Sequence, residues 1–539
     1  MPACRAPLGA GRAEALRFFQ DLDLAEALSA EAELRPTEGG GKHPPEAKSF
    51  GKSSAEDLKR RQMPHPPVTS HWTWAGKGLF CTVRDLSMKE RDMGAKSEEV
   101  KPKHSAQAEK QREPRRRIDK YQLYRAAHLP AEGRVKPFLE CLDRVVKHEL
   151  YKFPLRLYLD TCAKCNNCAA QCHITCDDQE NVHWLPAKRS DLLRKVYKRR
   201  YTLAGKLLGK LVGAQDLTED MIDEMYESFY RCTMCRRCAL ECPMGVDNSL
   251  ITRIGRVCLS AAGMVPNNFR VSVEAQLRGP TRNTSAIPEK AFIDTVEFLN
   301  EEMQEMTGLP IEFPMNKRGA EILFVAPVSD YIMEADTLMG NAMTFYAAGA
   351  DWTIATGAGS DSINYGLFYD DNWLKEIILQ LHDVVKEIGA KTLVIGECGH
   401  ATKAQKVFAE YFGGELPFQI KNVAEVTAQY VREGRIRLDP SRNQDPVTLH
   451  DPCNQSRMGG LADILRFVLR SAVTNFVEMD PHGNENYCCG GGGGTVGFEE
   501  IYDFRMEVGG ERRWSSSGPP GRSSWPPLAP TARNSSGSW

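Results

Sequence analysis

The sequence has no apolar run near the roughly 18 residues that a membrane span requires, and its mean hydropathy is negative. This excludes a chain that crosses a bilayer by itself. Net charge is nearly absent as well, 69 Lys and Arg against 71 Asp and Glu. No global attraction to nucleic acid or to anionic lipid follows from such a balance. The opening "MPACRAPLGAGRAEALRFF" lacks the apolar centre of a secretion signal. Its Arg and Ala imitate a transit peptide, but Glu14, Asp21 and Asp23 count against one. Cysteine, by contrast, is plentiful: there are 17. In a large chain without a secretion signal, they point to metal or redox chemistry rather than to structural disulfides.

Their distribution is uneven. Cys4, Cys81 and Cys141 are scattered, ten lie between Cys162 and Cys258, and Cys398, Cys453, Cys488 and Cys489 complete the set. Residues 1–130 read as a poorly ordered polar region, with "RPTEGGGKHPPEAKSFGKSS" and "KSEEVKPKHSAQAEKQREPRRR" showing little apolar period. The basic run Arg115 to Arg117 reads as solvated linker. Residues 131–262 turn helical. There "SDLLRKVYKRRYTLAGKLLGKLVG" sets Leu192, Val196, Leu203, Leu207 and Leu211 on a helical repeat, its cations forming either a docking face or a plain wet one. Residues 263–318 read as connecting helices.

From residue 319, short apolar runs ("EILFVAP", "DWTIATG", "KTLVIGE", "PVTLHD", "NFVEMD") alternate with helical patterns. This predicts an α/β layer with a largely parallel sheet. The strongest helix places Leu374, Ile377, Ile378, Leu381, Val385 and Ile388 on one face, closed by Gly389. Cys398, Cys453 and Cys488 each follow a predicted strand, which gathers them at the carboxyl edge of the sheet, where open α/β folds build their sites.

Two motifs share the spacing C-x2-C-x2-C-x3-C: Cys162, Cys165, Cys168, Cys172 and Cys232, Cys235, Cys238, Cys242. Three close thiolates hold one 4Fe–4S cube and the fourth reaches the other cluster. The expected partition is Cys162, Cys165, Cys168 with Cys242, and Cys232, Cys235, Cys238 with Cys172. Zinc prefers four ligands in separated pairs and fits two runs of four poorly. His173 stands where the second motif has Pro243. Cys258 reads as a buried thiol on a helical stripe with Ile251 and Ile254, and Cys176 also reads as core.

The last cysteines follow the spacing C-x34-C-C, from "LHDPC" at Cys453 to "YCCGG" at Cys488 and Cys489. Over residues 155–510 the sequence resembles the heterodisulfide reductases and their cysteine-rich CCG domain, with DsrK, HdrD, HmcF and TmcB as its nearest group. The phrases "GAEILFVAP", "GECGHA", "LDPSRNQDPVTLHDPCNQSRMGG" and "CCGGGGG" carry the likeness. The resemblance implies an α + α/β chain in which a helical two-cluster ferredoxin-like domain is followed by an α/β CCG domain at 319–510. It also implies two 4Fe–4S cubanes and one non-cubane 4Fe–4S cluster at catalytic Cys453, Cys488 and Cys489. "GECGH" stands where two-repeat relatives carry a first CCG repeat, so Cys398 is either an extra cofactor-binding ligand or a plain strand-end thiol.

The glycines Gly490 to Gly494 read as close approach of backbone to a bulky cluster, since no Gly-Lys-Ser/Thr follows to make a phosphate loop. His400, His450 and Asp451 read either as proton carriers or as strand-end hydrogen-bonding groups.

A disulfide takes two electrons whereas a cubane passes one. The expected function is therefore an electron-transfer oxidoreductase subunit passing single electrons through two cubanes to a centre that reduces or oxidises a sulfur–sulfur bond. By resemblance, its partners are a membrane subunit carrying haem b and reacting with quinone, and a small thiol/disulfide protein similar to DsrC. A cytoplasmic location, peripheral to the membrane, goes with them. Two rivals are a non-catalytic relay or defective gene product, and the iron–sulfur subunit of a glycolate or glycerol-3-phosphate oxidising complex.

The closing C-x2-C of the CCG family has no counterpart after Cys489. Residues 511–539 instead turn abruptly to Ser, Pro, Arg and Trp. Such composition is that of GC-rich DNA read out of frame. Shifted to the third base of each codon, Trp514 to Gly518 can encode Glu-Gln-Leu-Arg. The Leu528/Ala529 and Thr531/Ala532 junctions then supply NGC codons at C-x2-C spacing. The tail is read as frameshifted.

Overall fold

The computed structural model describes residues 69–72, 81–84, 129–176, 184–498, 501, 502, 504 and 505. The reading of 511–539 lies outside these residues. Two strands fall within the expected polar region, β1 (Thr69–Trp72) and β2 (Cys81–Arg84), paired antiparallel.

The helical part is built on α1 (Val135–Val145), α2 (Lys152–Thr161), the short α3 (Asn167–Gln171), α4 (Pro186–Tyr201), α5 (Leu203–Leu208), α6 (Glu219–Tyr230), the one-turn α7 (Arg237–Leu240) and α8 (Asn248–Ala261). Helix α8 is the axis: every residue from Asn248 to Leu259 is buried, and α1, α2, α4 and α6 all pack on it. Asp247 starts it by accepting from the amides of Ser249 and Leu250. Gly255 lets α6 cross closely, since a Cβ there would lie 2.0 Å from the Phe229 ring. Cys258 is buried on this helix, as its stripe with Ile251 and Ile254 predicts.

The predicted leucine stripe does not stay in one helix. Thr202 is extended (φ −104°, ψ 141°) and its hydroxyl accepts from Gly205 N at 3.0 Å, ending α4 and capping α5. Leu192 and Val196 are buried on α4, while Leu203, Leu207 and Leu211 are exposed.

Helix α9 (Glu289–Thr307) leads into an α/β layer of β3 (Ile322–Val325), α10 (Ala335–Ala347), β4 (Trp352–Thr353), α11 (Asp371–Ile388), β5 (Thr392–Ile395), α12 (Gly399–Gly413), β6 (Gln419–Asn422) and α13 (Val423–Arg432). The sheet order is β4-β3-β5-β6, all parallel, with Ile322 opposite both Trp352 and Thr392, and Thr392 opposite Gln419. Side chains alternate across it. Ile322 and Phe324 join Phe292, Phe345 and Trp352 on one face, while Leu323 and Val325 join Leu381, Val385 and Ile388 on the other. Helix α11 buries all six apolar residues assigned to its inner face and closes on Gly389 at φ +80°.

Two of the expected strands leave this sheet. Strand β7 (Val447–Thr448) pairs antiparallel with β2, and Phe476 of "NFVEMD" makes only a parallel bridge to Val447. Cys398 therefore follows a strand of the parallel sheet. Cys453 and Cys488 belong to the segment around β7 and α14 (Ala462–Ala472).

Candidate metal centre

The two cysteine quartets are repeats in backbone as well as in sequence. Lys164 and Asn166 have φ of +56° and +63°, and Met234 and Arg236, at the equivalent places, have +54° and +62°. Left-handed geometry at a non-glycine residue costs about 1–3 kcal/mol and persists where the surroundings impose it. Here it flanks the second cysteine of each motif. Each third cysteine then enters a short helix through the same bond, Ala169 N to Asn166 O and Ala239 N to Arg236 O, both 2.8 Å.

Thiol proximity crosses the two motifs. Burial pushes Cys172 up to about 11, and Cys235 and Cys232 of the other motif add to the rise. Burial also pushes Cys168 up to about 11, with Cys162, Cys172 and Cys242 contributing. Cys238 is held well above the usual thiol range by burial, with Cys172 its first thiol neighbour. Cys165 is exposed and Cys162 half-buried, whereas Cys232, Cys235 and Cys238 are all buried. Arg189, fully buried on α4, lies within electrostatic reach of Cys232, Cys172, Cys238 and Cys168. It is anchored through Nε to Thr252 Oγ1 (3.2 Å) and through a terminal nitrogen to Trp184 O (3.3 Å).

Cys453 and Cys488 are buried beside Cys235 and Met458, and Cys489 is half-buried. The Sγ atoms of Cys235 and Cys488 and a ring nitrogen of His173 all lie within 4.8 Å of one another. Cys488 also donates to Thr233 Oγ1 at 3.3 Å. The second quartet thus adjoins the adjacent cysteines directly.

The glycine run makes this approach possible. A Cβ on Gly492 would lie 2.4 Å from Thr233 O, one on Gly493 2.5 Å from Cys232 O, and one on Gly494 2.0 Å from the Phe269 ring. Gly493 and Gly494 have φ of +61° and +79°. The sequence expectation is an approach to a bulky cluster; Gly492 and Gly493 instead approach the protein backbone of the second quartet's loop, and Gly494 the Phe269 ring. Three arginines hold the seam. Arg256 donates to Gly493 O (2.8 Å) and Cys232 O (2.6 Å). Arg457 donates to Cys235 O (2.6 Å), Asn484 O (2.7 Å) and Asn486 O (2.8 Å). Arg237 donates to Glu485 O (3.0 Å) and Gln171 O (3.1 Å) and stacks over Tyr487.

These residues fit iron–sulfur clusters. No disulfide joins any of the described cysteines. Burial pushes Cys453 up to about 11, and a hydrogen bond with Cys488 together with burial does the same to Cys235. Gathered thiols whose charged forms are so disfavoured need bound cations to hold them as thiolates, and cluster irons supply that charge.

The remaining candidates have structural partners. Cys398 caps α12, its sulfur accepting from Ala401 N at 3.4 Å, and it packs with the sheet core rather than with Cys453 and Cys488. It sits at the end of β5, where the strand order reverses beside β3. Asp451 is held below the usual carboxylate range despite its burial, because Arg466 grips both oxygens at 2.7 and 2.8 Å. His450 Nε2 lies 3.2 Å from Tyr487 O. His400 packs edge-on against Phe368, and burial lowers it to about 4. Sequence reasoning gave no role to Arg189, Arg237, Arg256 or Arg457. His173 carried a signal, a histidine in the place of the proline.

Residues 158–246 match the family described as 4Fe-4S dicluster domain, and residues 447–511 match the CCG cysteine-rich domain. The Hdr-like menaquinol oxidoreductase iron-sulfur subunit 2 of Archaeoglobus fulgidus is 31% identical over 68% of this chain and 72% of its own length. The chain belongs to the family of heterodisulfide-reductase-like iron–sulfur subunits with a CCG domain. The corresponding protein of Archaeoglobus profundus is 29% identical over 65% of this chain and 70% of its own length. One polypeptide of the dihydromethanophenazine:CoB–CoM heterodisulfide reductase of Methanosarcina mazei is 25% identical over 62% of this chain and 79% of its own length. No solved structure matches. As a family member the chain is an iron–sulfur electron-transfer subunit that binds 4Fe–4S clusters, including one of CCG type. Among the described residues no helix is long and apolar enough to cross a membrane.

Proposed function

We propose that this subunit carries single electrons inward from the first quartet, which reaches the surface at Cys165, through the more deeply buried second quartet, to a sulfur-active centre at Cys453, Cys488 and Cys489. There a disulfide or related sulfur bond is reduced, or formed in the reverse direction. The observation that carries the reading is the contact between Cys235 and Cys488, whose sulfurs lie within 4.8 Å of each other. When bound, cubanes supply one-electron transfer and the CCG-type cluster supplies sulfur–sulfur cleavage.

The residues divide the remaining work. Cys162, Cys165, Cys168 and Cys242 would hold the outer cubane, and Cys232, Cys235, Cys238 and Cys172 the inner one. Arg256 and Arg457 fix the distance between the second quartet and the adjacent cysteines. Gly492 and Gly493 bring the chain against Cys232 and Thr233, and Gly494 packs it against Phe269. The membrane haem b subunit and the DsrC-like thiol protein remain the proposed partners. The menaquinol oxidoreductase name of the Archaeoglobus relatives favours a quinol at the entry end. In the same reading, residues 511–539 replace a closing C-x2-C, so the chain as written lacks two ligands of the third cluster, and the tests below use the protein expressed from the corrected frame with TGC at both named junctions.

Cys488→Ala and Cys489→Ala are expected to abolish disulfide-linked turnover while leaving the one-electron reduction of the cubanes intact. Full activity in either variant would sink the proposal. Iron content separates the relay rival, since about 8 irons per chain mark two cubanes alone and about 12 a third cluster.

A further inference from the structure

The turn after α4 exposes apolar surface that helical periodicity alone assigns to one stripe. Leu203, Leu207, Leu208 and Leu211 are 75, 75, 51 and 88% exposed. Their outward aim has a cause. Gly205 is buried against the end of α4, where an added Cβ would lie 2.0 Å from Lys198 O. The glycine side of α5 packs down, so the leucine side must face out. The chain continues through a 3₁₀ turn, Gly209–Val212, which carries Leu211 in the same exposed stretch.

The chain that carries these leucines is strongly cationic. Residues 186–213 contain nine Lys and Arg and a single acid, Asp191. Asp191 is occupied by Lys164 and Arg194, Arg199 pairs with Asp216, and Arg200 pairs with Asp143. Among the described residues no ion pair engages Lys206 or Lys210, which stand one residue before Leu207 and Leu211. Leucines on a convex turn with lysines between them suit an interface of apolar tails and phosphates. The leucines enter the acyl boundary while the lysines extend to the headgroups. A protein groove would ask for one continuous apolar ridge, which the lysines interrupt.

We infer that Leu203–Val212 is a membrane-surface contact that seats the subunit on an anionic lipid bilayer. The element also orients the electron path. Helix α4 begins beside the outer quartet, where Asp191 meets Lys164 between Cys162 and Cys165, and it rises about 15 Å from Asp191 to its end at Tyr201, just before Leu203. The outer quartet is thereby held within reach of the bilayer surface. This inference does not depend on which sulfur bond the inner centre acts on.

The test uses the full chain, prepared without oxygen and loaded with iron, in flotation with vesicles. Phosphatidylglycerol-containing vesicles are compared with pure phosphatidylcholine. The parent protein should float with the anionic vesicles only, and less at high salt. Leu207→Gln with Leu211→Gln should weaken that binding at least about tenfold, as should Lys206→Glu with Lys210→Glu. Cluster absorbance and unfolding temperature should not change, because both pairs are exposed. The inference is overturned if the parent ignores anionic vesicles, which is also the outcome if another segment of the chain covers the leucines. It is equally overturned if the leucine pair binds as the parent does. Retained vesicle binding with lost attachment to native membranes would assign the surface to a protein partner instead.

Discussion

The guanidinium of Arg457 donates to the carbonyl oxygen of Cys235 at 2.6 Å, joining residues 222 positions apart in the chain. Its other nitrogens hold Asn484 O and Asn486 O, so one buried side chain fixes the second quartet loop, the loop after Cys453 and the approach to Cys488. Arg457→Ala leaves the buried carbonyls of Cys235 and Asn486 unsatisfied, at about 1–3 kcal/mol each before relaxation, and loses the part-buried bond to Asn484 O as well. Denaturant unfolding should show a loss of about 3 kcal/mol or more, with the inner centre's spectrum broadened and the outer cubane unchanged. Arg457→Lys should not rescue it, since a single ammonium cannot span three separated acceptors.

Cys242→Ser tests the crossed ligation. Cys242 is among the thiols that act on Cys168, and Cys232 and Cys235 act on Cys172. EPR of the reduced protein should lose the signal of the cluster held by Cys162, Cys165 and Cys168, together with its coupling to the other. Damage confined to the cluster of Cys232, Cys235 and Cys238 would show that each motif keeps its own fourth ligand.

What the sequence made legible was whatever repeats over a short span. The C-x2-C-x2-C-x3-C runs identify their loops because ligand spacing is local, and α11 was readable from its six-residue apolar face. The sheet was partly legible. Strands β3, β4 and β5 occur at the runs that predicted them, β6 was not read, and β7 pairs with β2 instead of the parallel sheet. Partner choice for a two-residue strand is a tertiary matter that alternation of apolar residues cannot carry. The seam was invisible for the same reason. Arg457 and Gly493 act on carbonyls more than 200 residues away, and nothing near them in sequence names those partners. The leucine repeat misled because Thr202 ends the helix by its backbone and cap, which periodicity does not register.

Asp330 gives a pH prediction. It is buried after β3, near Glu397, Glu334 and Asp361, and burial followed by these charges raises it to about 8. The native state keeps a proton that the unfolded state releases near the ordinary carboxyl value of about 4. Between those values unfolding releases a proton, so this group lowers stability progressively as pH rises from about 4 to about 8. Asp330→Asn should therefore stabilise the protein increasingly over that window, on the order of a few kcal/mol at its upper end, and make little difference below pH 4. Urea unfolding of both proteins across the range checks it. A constant difference at every pH would mean that Asp330 ionises normally.

Arg189 supplies the last prediction. Its cation is buried among cysteines of both quartets, and Thr252 Oγ1 and Trp184 O hold the guanidinium in place. Adding an electron to either cluster adds negative charge next to a fixed positive one, which favours the reduced state. At a separation of roughly 6 Å and an effective dielectric of about 20, the attraction is about 3 kcal/mol, or on the order of 100 mV for one electron. Arg189→Gln keeps much of the hydrogen bonding and removes the charge. Redox titration followed by EPR should find both cubane potentials lowered, by tens of millivolts to about 100 mV. Arg189→Lys should recover most of the shift, since charge rather than fork geometry is what acts. If Gln leaves both potentials unchanged but destabilises the fold, Arg189 serves packing alone. Iron content should remain at the parent value in the Lys variant, which separates tuning of the clusters from failure to assemble them.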